Sequence, residues 1–256
     1  ALVDRPQGVD DQRSPSPAAR LGLEDRPSRT HGELEARLRR GADDGARVTV
    51  QEHGGLLGRR ATDENRKEVA AQLKDKMLAD LGGQPLIEHA AHMITEVDPL
   101  TRVAVCPSDR PQIGERLINR FVIAVNKKPK MGLGHSIAVG VNVALQFKPD
   151  AILLVMGDMP FVESWILEGA VARLTAGVDI VHSGGAHGVR PPTVFGPACF
   201  DALAALDGDD GAKQIIGQGG HNVVGFSAPA PLLMDIDTRD DLELARQQLA
   251  IRQRRG

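Results

Sequence analysis

Tyrosine is absent from this chain of 256 residues, tryptophan occurs once, and aromatic residues make up 3% of it. Any core must therefore be aliphatic, and hydrophobic residues at 41% are enough to build one. No basic cluster is interleaved with aromatics and the formal charge is only −3, so nothing points to a nucleic-acid partner. No apolar run approaches the roughly 18 residues of a membrane span. The opening Ala-Leu-Val-Asp-Arg lacks the apolar core of a secretion signal. The two cysteines, Cys106 and Cys199, lack metal-ligand spacing and are expected to be reduced and buried in a cytoplasmic protein. The chain has neither a Gly-x-Ser-x-Gly nucleophile elbow nor a phosphate loop ending in Gly-Lys-Ser/Thr. His89 and His92 share a helix face at i, i+3, but no third ligand has suitable spacing, so a zinc site is not expected.

What is present divides the chain in two. Residues 1–45 are polar, charged and punctuated by proline, a composition that cannot offset chain entropy by apolar burial, and disorder is expected there. Residues 46–51 suit one short strand, and Gly54, Gly55 and Gly58 follow before a charged helical stretch over 63–79. From Leu81 the rhythm is regular. Helices are expected at 85–94, 112–119, 136–147, 163–176, 197–206, 210–217 and 238–251. Strands are expected at 102–106, 121–125, 151–156, 178–182, 193–195, 223–226 and 232–234. Such alternation implies βαβ units around a mostly parallel sheet, an α/β fold.

Residues 151–162, Ala-Ile-Leu-Leu-Val-Met-Gly-Asp-Met-Pro-Phe-Val, carry the sharpest functional signal. The apolar run reads as a strand buried on both faces, with Asp158 just past its carboxyl end and Pro160 stiffening the loop. Ligands of open α/β sheets bind at that end, and an aspartate there suits a divalent cation on nucleotide phosphates; a turn-forming aspartate is the plain alternative. Lys76, upstream of Leu81-Gly82-Gly83-Gln84-Pro85, is either a point charge for phosphate or one more solvated lysine. In Asn126-Lys127-Lys128-Pro129-Lys130-Met131-Gly132-Leu133-Gly134-His135-Ser136, the glycines permit close backbone approach and Ser136 is a plausible N-cap. Asp207-Gly208-Asp209-Asp210 reads first as a turn. In Met234-Asp235-Ile236-Asp237-Thr238, either Thr238 or Asp237 caps the last helix, or Asp237 is a second metal ligand facing Asp158.

The order of these segments resembles the molybdenum cofactor cytidylyltransferase group of the nucleotidyltransferases, together with the related guanylyltransferases. The series is Lys76, Leu-Gly-Gly-Gln-Pro-Leu-Ile-Glu-His, Gly-Leu-Gly-His-Ser-Ile, Gly-Asp-Met-Pro, Pro192 with Phe195, Gly-Asp-Asp-Gly-Ala-Lys and Asp-Ile-Asp-Thr. It covers residues 76–250. The resemblance implies a Rossmann-like, three-layer nucleotidyltransferase domain over residues 46–256. It also implies Asp158 on Mg²⁺ with Asp237 as second ligand (Asp235 as a substitute), Lys76 on the α-phosphate, and Gly132, Gly134, Ser136 and Pro160 beside nucleotide or pterin. CTP and molybdopterin cofactor would be the substrates, with a molybdoenzyme or its chaperone as recipient. One departure stands out. The group's opening Leu-Ala-Ala-Gly-x-Ser-x-Arg-Met-Gly loop has no match, and the nearest echo is Gly54-Gly55-Leu56-Leu57-Gly58-Arg59-Arg60. That departure keeps two alternatives open: a nucleotidyltransferase using GTP or another nucleotide, and a non-catalytic cofactor carrier or chaperone.

Overall fold

Short aliphatic runs bounded by turn residues become strands here, and the amphipathic segments between them become helices. The computed structural model describes residues 46–51, 76–185 and 188–254. Along the chain the strands are β1 (Ala46–Gln51), β2 (Asp80–Leu81), β3 (Gln84–Pro85), β4 (Arg102–Pro107), β5 (Val122–Asn126), β6 (Ala151–Met156), β7 (Ile180–His182), β8 (Thr193–Phe195) and β9 (Val223–Gly225). The helices are α1 (Leu86–Glu96), α2 (Pro111–Leu117), α3 (Gly132–Leu145), α4 (Ser164–Val171), α5 (Phe200–Ala204), α6 (Lys213–Gln218) and α7 (Arg239–Gln253).

The main sheet runs β5-β4-β1-β6-β8-β7-β9, while β2 and β3 pair as a separate hairpin. Every pairing in the main sheet is parallel except those of β8, which is antiparallel to both neighbours. From β1 the chain moves outward to β4 and β5, then returns to lay β6 on the other side of β1. That reversal is a topological switch point, where a crevice forms outside the carboxyl ends of the strands. Asp158 emerges from β6 at this place.

All six residues of β6 are buried, the signature of a strand covered on both faces. Ala151, Leu153 and Val155 point into one apolar cluster with Leu86 and Ile94 of α1, Ile113 of α2, Ile166 of α4 and Leu242 of α7. Ile152 and Leu154 point into another, with Ile137 and Val141 of α3, Leu203 of α5 and Ile215 of α6. Strand alternation thus assigns α1, α2, α4 and α7 to one side of the sheet and α3, α5 and α6 to the other. The result is the three-layer, Rossmann-like α/β arrangement expected from the sequence.

Three expectations need correction. The strand expected at 232–234 is a 3₁₀ turn, Ala230–Leu233. Pro231 has no N–H for a ladder, and Leu232 N–H bonds back to the Pro229 carbonyl at 2.9 Å. The helix expected from Ser136 starts at Gly132, so Ser136 is an interior residue and not its N-cap. Residues 1–45, Gly54, Gly55, Gly58, and all but the end of the helix expected over 63–79 lie outside the described residues. The part of that helix within them, Lys76–Leu78, is a 3₁₀ turn.

Both cysteines are buried, and burial, reinforced by nearby Asp179, pushes the Cys199 thiol up to about 11. A thiol reagent at pH 8 should therefore label neither cysteine of the native protein in the time that suffices for both in denaturant. Rapid native labelling of either would contradict this packing.

Candidate active site

Three charged side chains distant in the chain meet at the carboxyl end of β6. Lys76 Nζ donates to Asp158 Oδ2 at 2.8 Å, to Asp237 Oδ1 at 3.0 Å and to the Ile236 carbonyl at 3.3 Å. The partners lie 82 and 161 positions from the lysine for the two carboxylates. Each member is held from behind.

Lys76 opens its 3₁₀ turn with Met77 buried beside it. The β2–β3 hairpin follows at once, turning through Gly82 and Gly83 at φ +67° and +89°. Both angles lie where a two-residue hairpin turn calls for glycine. A ring nitrogen of His89 lies 2.8 Å from the Leu81 carbonyl and ties α1 to that hairpin. Asp158 is fixed by its own backbone: its carbonyl accepts the Ile236 N–H at 3.0 Å. Ile236 is fully buried and anchors the segment that carries Asp237.

Thr238 is the N-cap of α7, in a capping box with Asp241. Asp241 Oδ2 accepts from the Thr238 N–H at 2.8 Å and from the Asp237 N–H at 3.2 Å. Capping is thus done by Thr238 and Asp241. The Asp237 carboxylate takes no part in the cap and is left free to meet Lys76 beside Asp158.

Electrostatics bind the cluster together. Burial alone would pull the Lys76 ammonium down, but Asp158 and then Asp237 outweigh it and hold the lysine protonated. Burial drives the Asp158 carboxyl above the ordinary carboxylate range, with Lys76 opposing and Asp237 adding to the rise. Asp235, deprived of solvent and facing Asp237, is pushed up to about 6.

Asp158 is fully buried, and its Oδ1 has no hydrogen-bond partner among the described residues. A buried acceptor left over in this way is uncommon and suits a cation. Among the described residues no group of three or more His, Cys, Asp or Glu is placed to hold a metal. Mg²⁺ commonly takes one or two carboxylates together with substrate phosphates, so Asp158 and Asp237 fit a cation that completes its shell on a nucleotide.

The remaining predicted residues do not join this trio. Gly132 and Gly134 face the 207–209 loop: a Cβ on Gly132 would lie 2.5 Å from the Gly208 carbonyl oxygen, and one on Gly134 would lie 2.6 Å from that of Asp207. Gly134 N–H also donates to the Gly208 carbonyl at 2.7 Å. Their smallness is used for loop docking. Ser136 is buried, accepts from Asn126 Nδ2 at 2.7 Å and donates back to the Gly132 carbonyl at 3.4 Å. Its hydroxyl is committed inside the protein, a correction to its reading as the N-cap. Pro160 lines a cavity of ≈ 390 Å³ with Gln84, His89 and Trp165, which does not include Lys76, Asp158 or Asp237.

Sequence reading gave Asn126 no role of its own and missed His182 and Ser183, all three buried polar groups at the carboxyl ends of strands. A polar residue closing an otherwise apolar run was the available signal. Asn126 Oδ1 accepts the Lys128 N–H at 2.8 Å and so also shapes the loop into α3. His182 Nδ1 accepts the Gly184 N–H at 3.3 Å.

Residues 70–223 match the family described as the MobA-like NTP transferase domain. The chain is 29% identical over 133 residues to the purine catabolism protein PucB of Bacillus subtilis, covering 51% of this chain and 64% of that protein. It thus spans just under two thirds of that relative's length. A nucleotidyl transferase from Methanothermobacter shares the fold with a TM-score of 0.66 at 20% identity, over 81% of this chain and 99% of that one. Molybdopterin-guanine dinucleotide biosynthesis protein A from Archaeoglobus fulgidus does so with a TM-score of 0.51 at 21% identity, over 80% and 99%.

Gly134→Ala should destabilise the protein by about 1–3 kcal/mol in urea unfolding, because its methyl group meets backbone that cannot rotate away. An unchanged midpoint would refute the docking role. Burial holds His182 below its ordinary value of 6.5. As pH falls below 6.5 the unfolded chain takes up a proton that the folded ring resists, so stability declines on acidification and is whole above that pH. His182→Gln should flatten the pH dependence of the urea midpoint between about 6.5 and the lower folded value.

Proposed function

Because the chain belongs to the family of MobA-like NTP transferase domains, we propose that it is a Mg²⁺-dependent cytidylyltransferase. It would transfer CMP from CTP to the terminal phosphate of molybdopterin cofactor and release pyrophosphate. Membership supports nucleotidyl transfer in general. The choice of CTP and molybdopterin rests on the resemblance of the ordered segments.

The observation that carries the reading is the convergence of Lys76, Asp158 and Asp237 at the switch point. In the reaction, an oxygen of the acceptor phosphate forms a bond to the α-phosphorus. The bond from that phosphorus to the bridging oxygen of the β-phosphate breaks, and pyrophosphate leaves with the electron pair. The acceptor is already anionic near neutral pH, so the transfer requires no strong general base, and a lysine with two acids suffices. Asp158 and Asp237 would hold the cation. Lys76, kept protonated by its neighbours, would bring positive charge to the α-phosphate oxygens. Bound Mg²⁺ supplies charge neutralisation and in-line orientation of the phosphates.

Purified protein with Mg²⁺ and molybdenum cofactor should release pyrophosphate fastest with CTP among CTP, GTP, ATP and UTP. Asp158→Asn should slow release by about a hundredfold or more. No release with any nucleotide would overturn the reading. Preference for GTP, the donor suggested by the name of the Archaeoglobus neighbour, would move the base assignment alone.

A further inference from the structure

We propose that Lys76 holds the place of the divalent cation and keeps a bare ion off the Asp158–Asp237 pair, so that cation and nucleotide enter together. This rests on the reading of the two carboxylates as the cation's ligands.

The first argument is occupancy. An ion shared by Asp158 Oδ2 and Asp237 Oδ1 needs about 2.1 Å to each oxygen. Lys76 Nζ already lies between those same atoms, 2.8 Å from one and 3.0 Å from the other. Both cannot occupy that space.

The second argument is saturation. An ammonium has three donors, and here three acceptors meet them: the two carboxylates and the Ile236 carbonyl. Nothing is gained by displacing it into the surrounding protein. It moves only toward an acceptor of comparable strength, and a triphosphate is one.

The third argument is charge. A bare divalent ion entering between the two carboxylates would face the ammonium across a largely buried site, where screening is weak. A nucleotide removes the conflict by bringing anionic oxygens for lysine and ion alike.

Lys76 is therefore set against metal binding in the free protein and in favour of it in the complex. Removing it should strengthen binding of the bare ion and weaken the nucleotide's help. Mn²⁺, followed by its free-ion spin resonance signal, is the probe. Wild type should bind Mn²⁺ weakly alone and at least about tenfold more tightly with CTP, whereas Lys76→Met should bind Mn²⁺ alone about tenfold more tightly than wild type. Lys76→Met should also melt at lower temperature than wild type and recover with Mn²⁺. Lys76→Gln, which keeps a polar group in place, repeats the comparison should the methionine variant fail to fold.

Equal Mn²⁺ affinity of wild type with and without CTP would overturn the proposal without needing a variant. So would folded Lys76 variants that bind Mn²⁺ no more tightly than wild type. If Asp158→Asn leaves Mn²⁺ binding unchanged throughout, the metal-site reading falls as well, and the proposal with it.

Discussion

A carboxylate with no solvent exposure can stay charged only beside a cation, and Asp158 has its cation in Lys76. That constraint organises the carboxyl end of the sheet. The ion pair joins the turn before β2 to the loop after β6. The lysine's bonds to Asp237 and the Ile236 carbonyl then bring in the segment leading to α7. The Ile236 N–H to Asp158 carbonyl bond closes the same triangle through the backbone. Three stretches of chain with no local reason to meet are thereby fixed at one point. The charged side chains and the fold's last segment hold each other in place.

The support beneath this point is ordinary packing. Leu153 and Val155 of β6, Ile166 of α4, Ile236 and Leu242 share one apolar cluster, so the loops that carry the acids stand on a shared base. On the other side of the sheet, Gly132 and Gly134 admit the 207–209 loop against the start of α3. A polar clasp from Asn126 to Ser136 and to the Lys128 N–H sets the approach to that helix. Glycines, serine and asparagine here shape a scaffold, while a lysine and two aspartates form the charged cluster.

Much of this was legible in the sequence. The six-residue apolar run of β6, ended by Gly157 and Asp158, announced both a buried strand and an acid at its mouth, because burial on two faces demands unbroken hydrophobicity. The short strands at 46–51 and 193–195 and the last helix also fall where the sequence placed them, the helix capped by Thr238 with acids in its first turn. Where expectation failed, a local cue was outweighed. Ser136 has the chemistry of a cap, yet the chain enters helix four residues earlier, and its hydroxyl is used by Asn126. Leu232 and Leu233 are apolar enough for a strand, but the prolines around them exclude a ladder. The glycines at 132 and 134 correctly signalled a close approach, though what approaches is a loop of the same chain.

The sequence by itself determined the α/β architecture, the aliphatic core and the candidacy of Lys76, Asp158 and Asp237, because strand periodicity and residue chemistry are local properties. Only the tertiary structure decided that these three touch, that Thr238 caps while Asp237 is spared, and that among the described residues one Asp158 oxygen has no partner. The physical reason is separation along the chain. Ion pairing and burial depend on distances set by how β6 is inserted beside β1 and by how Ile236 is anchored, and no local pattern of residues encodes them.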